Sequence, residues 1–137
     1  MKDARGDITQ TDAIAWRLDR HTPYVPSPLL YDGMLFFLRH NEGVITCLNA
    51  KTGKPFFGPR RLHGIHSVYA SPVGAAGRVY IVSRDGATAV MKRDAAFELM
   101  AINRLDDSFS ASPAVVGDAI YLRGQRHLYC IEGDDEE

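Results

Sequence analysis

Residues Val25-Pro26-Ser27-Pro28-Leu29-Leu30-Tyr31-Asp32-Gly33-Met34-Leu35-Phe36-Phe37-Leu38 read as two short apolar runs folded about an Asp-Gly turn. Asp-Gly supplies the positive φ that a tight hairpin turn needs. The same unit returns twice. Ser-Pro recurs as Ser71-Pro72 and Ser112-Pro113, 44 and then 41 residues further on. After each Ser-Pro comes an apolar stretch, a turn and a second apolar stretch: 29–31 and 34–38, Val73 and 79–82, 114–116 and 119–122. The intervening turns are Asp32-Gly33, Ala75-Ala76-Gly77 and Gly117-Asp118. A third stretch follows in each unit at 44–48, 87–91 and 127–131, and fourth strands are expected at 55–62 and 97–105. A lone copy of the fourth strand precedes the first Ser-Pro at 13–18.

Four short strands per roughly 40 to 45 residues is the period of a β-propeller blade, shared with WD40-type propellers. The expected fold is all-β: one domain, 1–137, with blade repeats at about 24–62, 68–105 and 110–132. Apart from residues 94–101, no ten-residue window has helical spacing of apolar positions free of Gly and Pro. Val, Ile, Tyr, Phe and Thr crowd the strands instead. The repeated proline fits a strand edge, because proline donates nothing to a ladder. Superposing the units aligns Cys47 with Val90 and Cys130, and Leu48 with Met91 and Ile131, a small apolar slot of the kind that packs blade on blade. The cysteines then stand two blades apart, too far for a disulfide, and two free, buried, unreactive thiols are expected.

The composition is that of an ordinary globular chain: 45% hydrophobic, 24% charged, formal net charge -1. No global field favours nucleic acid or an anionic membrane. The longest apolar run, 34–38, is far shorter than the ~18 residues of a membrane span. The opening Met1-Lys2-Asp3-Ala4-Arg5-Gly6-Asp7 has no apolar stretch of the signal-peptide type. Compartment is left unassigned.

Cys47-Leu48-Asn49-Ala50-Lys51-Thr52-Gly53-Lys54-Pro55 resembles the third-strand motif of the quinoprotein-type, or PQQ-like, β-propeller repeat. The Ser-Pro and Asp-Gly elements of 25–38 match the same repeat, and the resemblance extends over almost the whole chain. The family closes its repeat with Trp on the fourth strand; Phe56 or Phe57 stands there, and Trp16 alone keeps the indole. The resemblance implies a bacterial propeller, often periplasmic, similar to the non-catalytic outer-membrane-assembly lipoprotein type. Enzymes of the family clamp a quinone between a tryptophan and adjacent cysteines, and hold calcium with Glu, Asn and Asp. This chain has no adjacent cysteines, and Trp16 belongs to an outer-strand motif. Neither enzyme nor cofactor is expected.

His63-Gly64-Ile65-His66 offers two imidazoles with no Asp, Glu or Cys within ten residues outside them, so no metal is expected. Arg60 and Arg61, with these histidines and the flanking Phe57 and Tyr69, form a basic cluster read as a solvated outer strand, not a nucleic-acid surface. Arg39-His40 and Arg84-Asp85 recur at the ends of second strands, where propeller loops gather. A ligand or partner is therefore sought at Arg39, His40, Arg84, Asp85 and Arg123. No phosphate loop, nucleophile elbow or carboxylate pair is present. Arg5-Gly6-Asp7 and the acidic tail 134–137 are given no function.

The expected function is a non-catalytic propeller scaffold or binding module for a protein or peptide. The alternative is a segment of a quinoprotein-like oxidoreductase whose cofactor-binding blades lie elsewhere. The third unit lacks a fourth strand, while 13–18 is a fourth strand without a blade. Two chains exchanging that strand would close a six-bladed homodimeric ring; a longer propeller, of which the chain is one part, is the competing arrangement.

Overall fold

The structure, a computed structural model, describes residues 4–133. Eleven strands make three antiparallel sheets: β1 (Leu29–Tyr31), β2 (Met34–Leu38), β3 (Val44–Asn49) and β4 (Pro55–Arg61); β5 (Val73–Ala75), β6 (Arg78–Val82), β7 (Ala87–Lys92) and β8 (Leu99–Arg104); β9 (Ala114–Val116), β10 (Ala119–Arg123) and β11 (Leu128–Glu132). Each sheet follows chain order, the meander of a propeller blade. The turns behave as their residues dictate. Tyr31 pairs with Met34 across Asp32-Gly33, and Ala75 with Arg78 across Ala76-Gly77. All four turn residues have positive φ, which matches the strand twist of a two-residue hairpin. Residues 94–96 turn between β7 and β8, so that region is not helical.

Period-two alternation decides what each blade buries. Met34, Phe36 and Leu38 of β2 join Ile45 and Cys47 of β3 in one core, into which Val79, Ile81, Ala89 and Met91 of blade 2 pack from the other side. The link from β4 to β5 contributes Leu62, Ile65 and Val68 to the same core. Phe36, Leu38 and Ile45 are fully buried, and each such side chain contributes about 1.5–3 kcal/mol. An aromatic series carries the core to the outer edge: Phe36 lies 6.4 Å from Phe57, and Phe57 meets Phe97 edge-on at 5.6 Å. A second, smaller core of Ala70, Val82, Phe109 and Leu122 joins blade 2 to blade 3.

Two expectations need correction. Register does make Cys47, Val90 and Cys130 equivalent, opposite Phe36, Tyr80 and Tyr121. Cys47, Leu48, Val90 and Met91 are buried as expected, but Cys130 is exposed and Ile131 is 44% exposed. Among the described residues no fourth strand and no further blade covers β11, so the same slot stands open. Second, residues 13–18 form no strand. They lie on the far side of blade 1, where Trp16, Thr22, Pro23 and Pro28 gather beside Leu35 and Phe37. Phe37 is only 3% exposed as a result. The acidic tail 134–137 lies outside the described residues.

Candidate binding surfaces

The expected site residues share one end of the blades, where second strands turn into third strands. The lead-in to each blade crosses this end by one repeated bond. His40 N–H donates to Thr22 O (2.8 Å), Arg84 N–H to Ser67 O (2.7 Å) and Gln125 N–H to Ser108 O (2.8 Å). The Ser-Pro serines form a second chain of bonds between blades: Ser27 N–H donates to Ser71 Oγ (2.9 Å), and Ser71 N–H to Ser112 Oγ (2.8 Å). The recurrence of serine has this cause, whereas proline only keeps the edge free of a donor.

On this scaffold the five residues are held in separate groups. Arg39 pairs with Glu42 at 2.5 Å, with Arg61 at 3.9 Å from the same carboxylate. The Arg39 hydrogen bond, the largest influence, holds Glu42 below the usual carboxylate range. His40 takes a left-handed φ of 51° and is exposed. Arg84 stacks 4.4 Å above the Tyr69 ring. Asp85 faces Arg104 at 4.0 Å. Arg123 ends β10 opposite Leu128. No contact among the described residues brings the five together. His63 and His66 are both exposed, in the link whose apolar residues form the core. Among the described residues no three His, Cys, Asp or Glu side chains converge on a point a metal could occupy.

The reading from sequence missed Asp107. Its carboxylate is 1% exposed and accepts from Ser108 N–H (2.8 Å), Arg126 N–H (3.2 Å), His127 N–H (3.1 Å) and Tyr129 Oη–H (3.0 Å). Burial by itself would raise this carboxyl, but the four donors outweigh it and hold the group well below the usual carboxylate range. With both oxygens engaged, Asp107 is a clasp on the β10–β11 turn and has no lone pair free for general-base chemistry. Gly124 makes room for it, since a Cβ there would lie 2.3 Å from Asp107 Oδ2. The signal in the sequence was slight: Gly124 follows β10 where Arg39 and Ser83 follow β2 and β6.

A cleft of about 690 Å³ opens between blades 2 and 3. Tyr80, Val82 and Val90 line one wall, Ile120, Leu122 and Ile131 the other, with Arg104 and Glu132 at its margins. Between blades 1 and 2 the corresponding outer space is filled by Phe57, Phe97 and Leu99. Here β11 is the last strand of its sheet and its outer edge has no partner among the described residues.

The opposite side of the molecule is closed by Trp16. Its indole N–H donates to Ala50 O at 3.0 Å, and its ring lies on Gly53, where a Cβ would come within 2.6 Å. Trp16 thus sits on the β3–β4 turn of blade 1 as Phe57 sits against Phe97 in the β7–β8 turn of blade 2. Residues 13–18 take the place of a preceding blade's fourth strand without being paired.

No protein-family model matches the chain, and no curated protein does. Among solved structures it is similar to the crystal structure of BamB from Moraxella catarrhalis, with TM-score 0.61 and 19% identity over 86% of this chain. The match spans 35% of the length of that protein. At this identity the likeness bears on architecture alone: three stacked antiparallel sheets with no helix among the described residues are β-propeller blades.

Proposed function

We propose that the chain is a non-catalytic β-propeller module that binds a protein or peptide partner. The observation that carries this reading is the open side of blade 3, a strand edge with free backbone groups beside an apolar cleft. Such an edge is a template for another polypeptide. The BamB-like fold and the sequence resemblance to scaffold propellers support the same reading, as does the saturated carboxylate of Asp107. In one form of it the partner is a second copy, which closes the six-bladed ring, residues 13–18 completing the blade of the other chain.

Hydrogen exchange and sedimentation at micromolar concentration test this. The β11 amides that point away from β10 are expected to exchange rapidly in a 15.2 kDa monomer and slowly once a partner is bound, while those bonded to β10 are slow in both; a mass near twice that value identifies the homodimer. Slow exchange of the outward-pointing β11 amides in a monomer would defeat the reading. Quinone with calcium is expected to leave stability unchanged, whereas a gain of about 2.7 kcal/mol at a hundredfold excess over Kd would favour the oxidoreductase alternative.

A further inference from the structure

The end of the blades where second strands turn into third strands presents one pair of positions in every blade. The bonds from His40, Arg84 and Gln125 to Thr22, Ser67 and Ser108 fix the register, and two residues beyond each acceptor stand Tyr24, Tyr69 and Ser110. Blade 1 therefore matches His40 with Tyr24, blade 2 Arg84 with Tyr69, and blade 3 Gln125 with Ser110. Tyr24 N–H donates to His40 O at 3.1 Å, yet its side chain belongs to neither core and is 80% exposed. Tyr69 is also exposed, with the Arg84 guanidinium 4.4 Å above its ring.

Arg84 is a cation without an anion. No carboxylate of the described residues lies within salt-bridge distance of it, and the stack on Tyr69 is what holds its side chain. Its neighbour Asp85 is engaged in its own turn, where it accepts from Ala87 N–H at 3.5 Å and faces Arg104 at 4.0 Å. A guanidinium held by one face on an aromatic ring keeps its in-plane N–H groups free, and these match the two oxygens of a carboxylate.

The charge around this stack is in excess. Arg39 and Arg61 share the single carboxylate of Glu42. At this end of blades 1 and 2, Arg39, Arg61, Arg84 and Arg104 thus stand against Glu42 and Asp85 alone. The other carboxylates nearby are engaged, Asp19 with Arg17, and Asp106 and Asp107 with Arg126. The stack and the Arg39–Glu42–Arg61 group belong to blades 1 and 2, each with its four strands paired.

We infer that this end is a second interaction surface, separate from the edge of β11, and that it takes an extended acidic segment of another protein. One carboxylate of the segment closes on the Arg84 guanidinium, the chain lies over the exposed rings of Tyr69 and Tyr24, and a further carboxylate meets Arg39 and Arg61. Stacked sheets stand about 10 Å apart and an extended chain advances about 3.3 Å per residue. Successive blades are therefore reached by carboxylates about three residues apart. The modest excess of cations suits such spacing, whereas a nucleic acid carries a phosphate at every step and would meet Glu42 and Asp85 as well.

A labelled ten-residue peptide with aspartate at every third position and serine between tests this, titrated with the full chain by fluorescence anisotropy beside the same peptide with asparagine for aspartate. The acidic peptide is expected to bind about tenfold tighter and to shift the backbone amide signals of Tyr24, His40, Tyr69 and Arg84 in a two-dimensional NMR spectrum. Arg84→Gln, at an exposed position, should lower the affinity about fivefold with the melting temperature unchanged. Arg84→Lys should fall between the two, because an ammonium keeps the charge and lacks the fork. Lys51→Gln, at the other end of blade 1, should bind as the parent does. Equal affinity for the two peptides, undiminished binding by Arg84→Gln, or equal losses in Arg84→Gln and Lys51→Gln overturns the proposal. Shifts confined to β11 overturn it too, and leave the reading of that edge intact. Tighter binding of a ten-nucleotide single strand, lost in Arg84→Gln, overturns it in favour of nucleic acid.

Discussion

Single contacts decide several properties at the scale of the residue. Gly53 has φ of +70° and lies under Trp16, so Gly53→Ala combines a left-handed alanine with a displaced indole. The left-handed strain by itself is expected to lower stability by about 1–3 kcal/mol. Trp16 is the one tryptophan, so its emission should shift to the red in the same variant; unchanged emission and stability would refute the contact. The two thiols should part company. Burial pushes the Cys47 thiol up to about 12, and a buried thiol is a poor nucleophile, while Cys130 is exposed. A thiol reagent should label Cys130 in the native protein and reach Cys47 only on unfolding. Asp107 sets an acid limit. Its folded-state pKa lies below the unfolded value of 3.8, so its contribution is present above that pH and is lost as pH falls toward the folded value. Asp107→Asn should lower the melting temperature at pH 7 and leave a smaller loss of stability between pH 4 and pH 2; parallel curves for the two proteins would contradict the clasp.

Elements were legible in the sequence where local chemistry and burial agreed. The hairpins of blades 1 and 2 could be read because Gly33 and Gly77 take positive φ without strain, and because Phe36 and Val79 alternate with neighbours on the other face. Residues 13–18 could not, since Ile14, Trp16 and Leu18 alternate as a strand should, yet a strand also needs a neighbour to pair with. Cys130 failed for a related reason: its position in the repeat equals that of Cys47, but burial is a property of what lies alongside. Of the expected site residues, the sequence showed which end of the blades they occupy, not that Arg39, Arg84 and Asp85 are bound into loops by Glu42, Tyr69 and Arg104. The two cores make unequal predictions. Phe36→Ala, in the shared core of blades 1 and 2, should cost about 3–5 kcal/mol and lower the global midpoint in urea. Phe109→Ala opens the small core under blade 3, which Phe109 shares with Ala70, Val82 and Leu122 and in which its ring lies 5.8 Å from that of Tyr129. It should speed hydrogen exchange in β9–β11 and leave β2 and β3 protected; equal acceleration throughout would show that the blades do not unfold separately.

The molecule as a whole is a short stack in which each blade contacts only its neighbours, and stability is then a sum of blade terms and interface terms. Such a stack has two outer sides, and the two are treated differently. Blade 1 is closed on its outer side by the chain's own residues, so that Phe37 and Leu48, which face away from blade 2, are both 3% exposed. Blade 3 leaves Leu128 72% and Ile131 44% exposed, with the cleft behind β11 open among the described residues. Removing residues 1–20 tests the asymmetry, because Trp16 and Leu18 leave while Phe37, Leu35 and Leu48 stay in place. If the segment is a cap, the shortened chain should bind a hydrophobic dye, self-associate through blade 1 and lose stability. A shortened chain that stays monomeric and dye-free would mean that residues 13–18 rest on blade 1 without closing it, and blade 1 would then join blade 3 as a side open to partners.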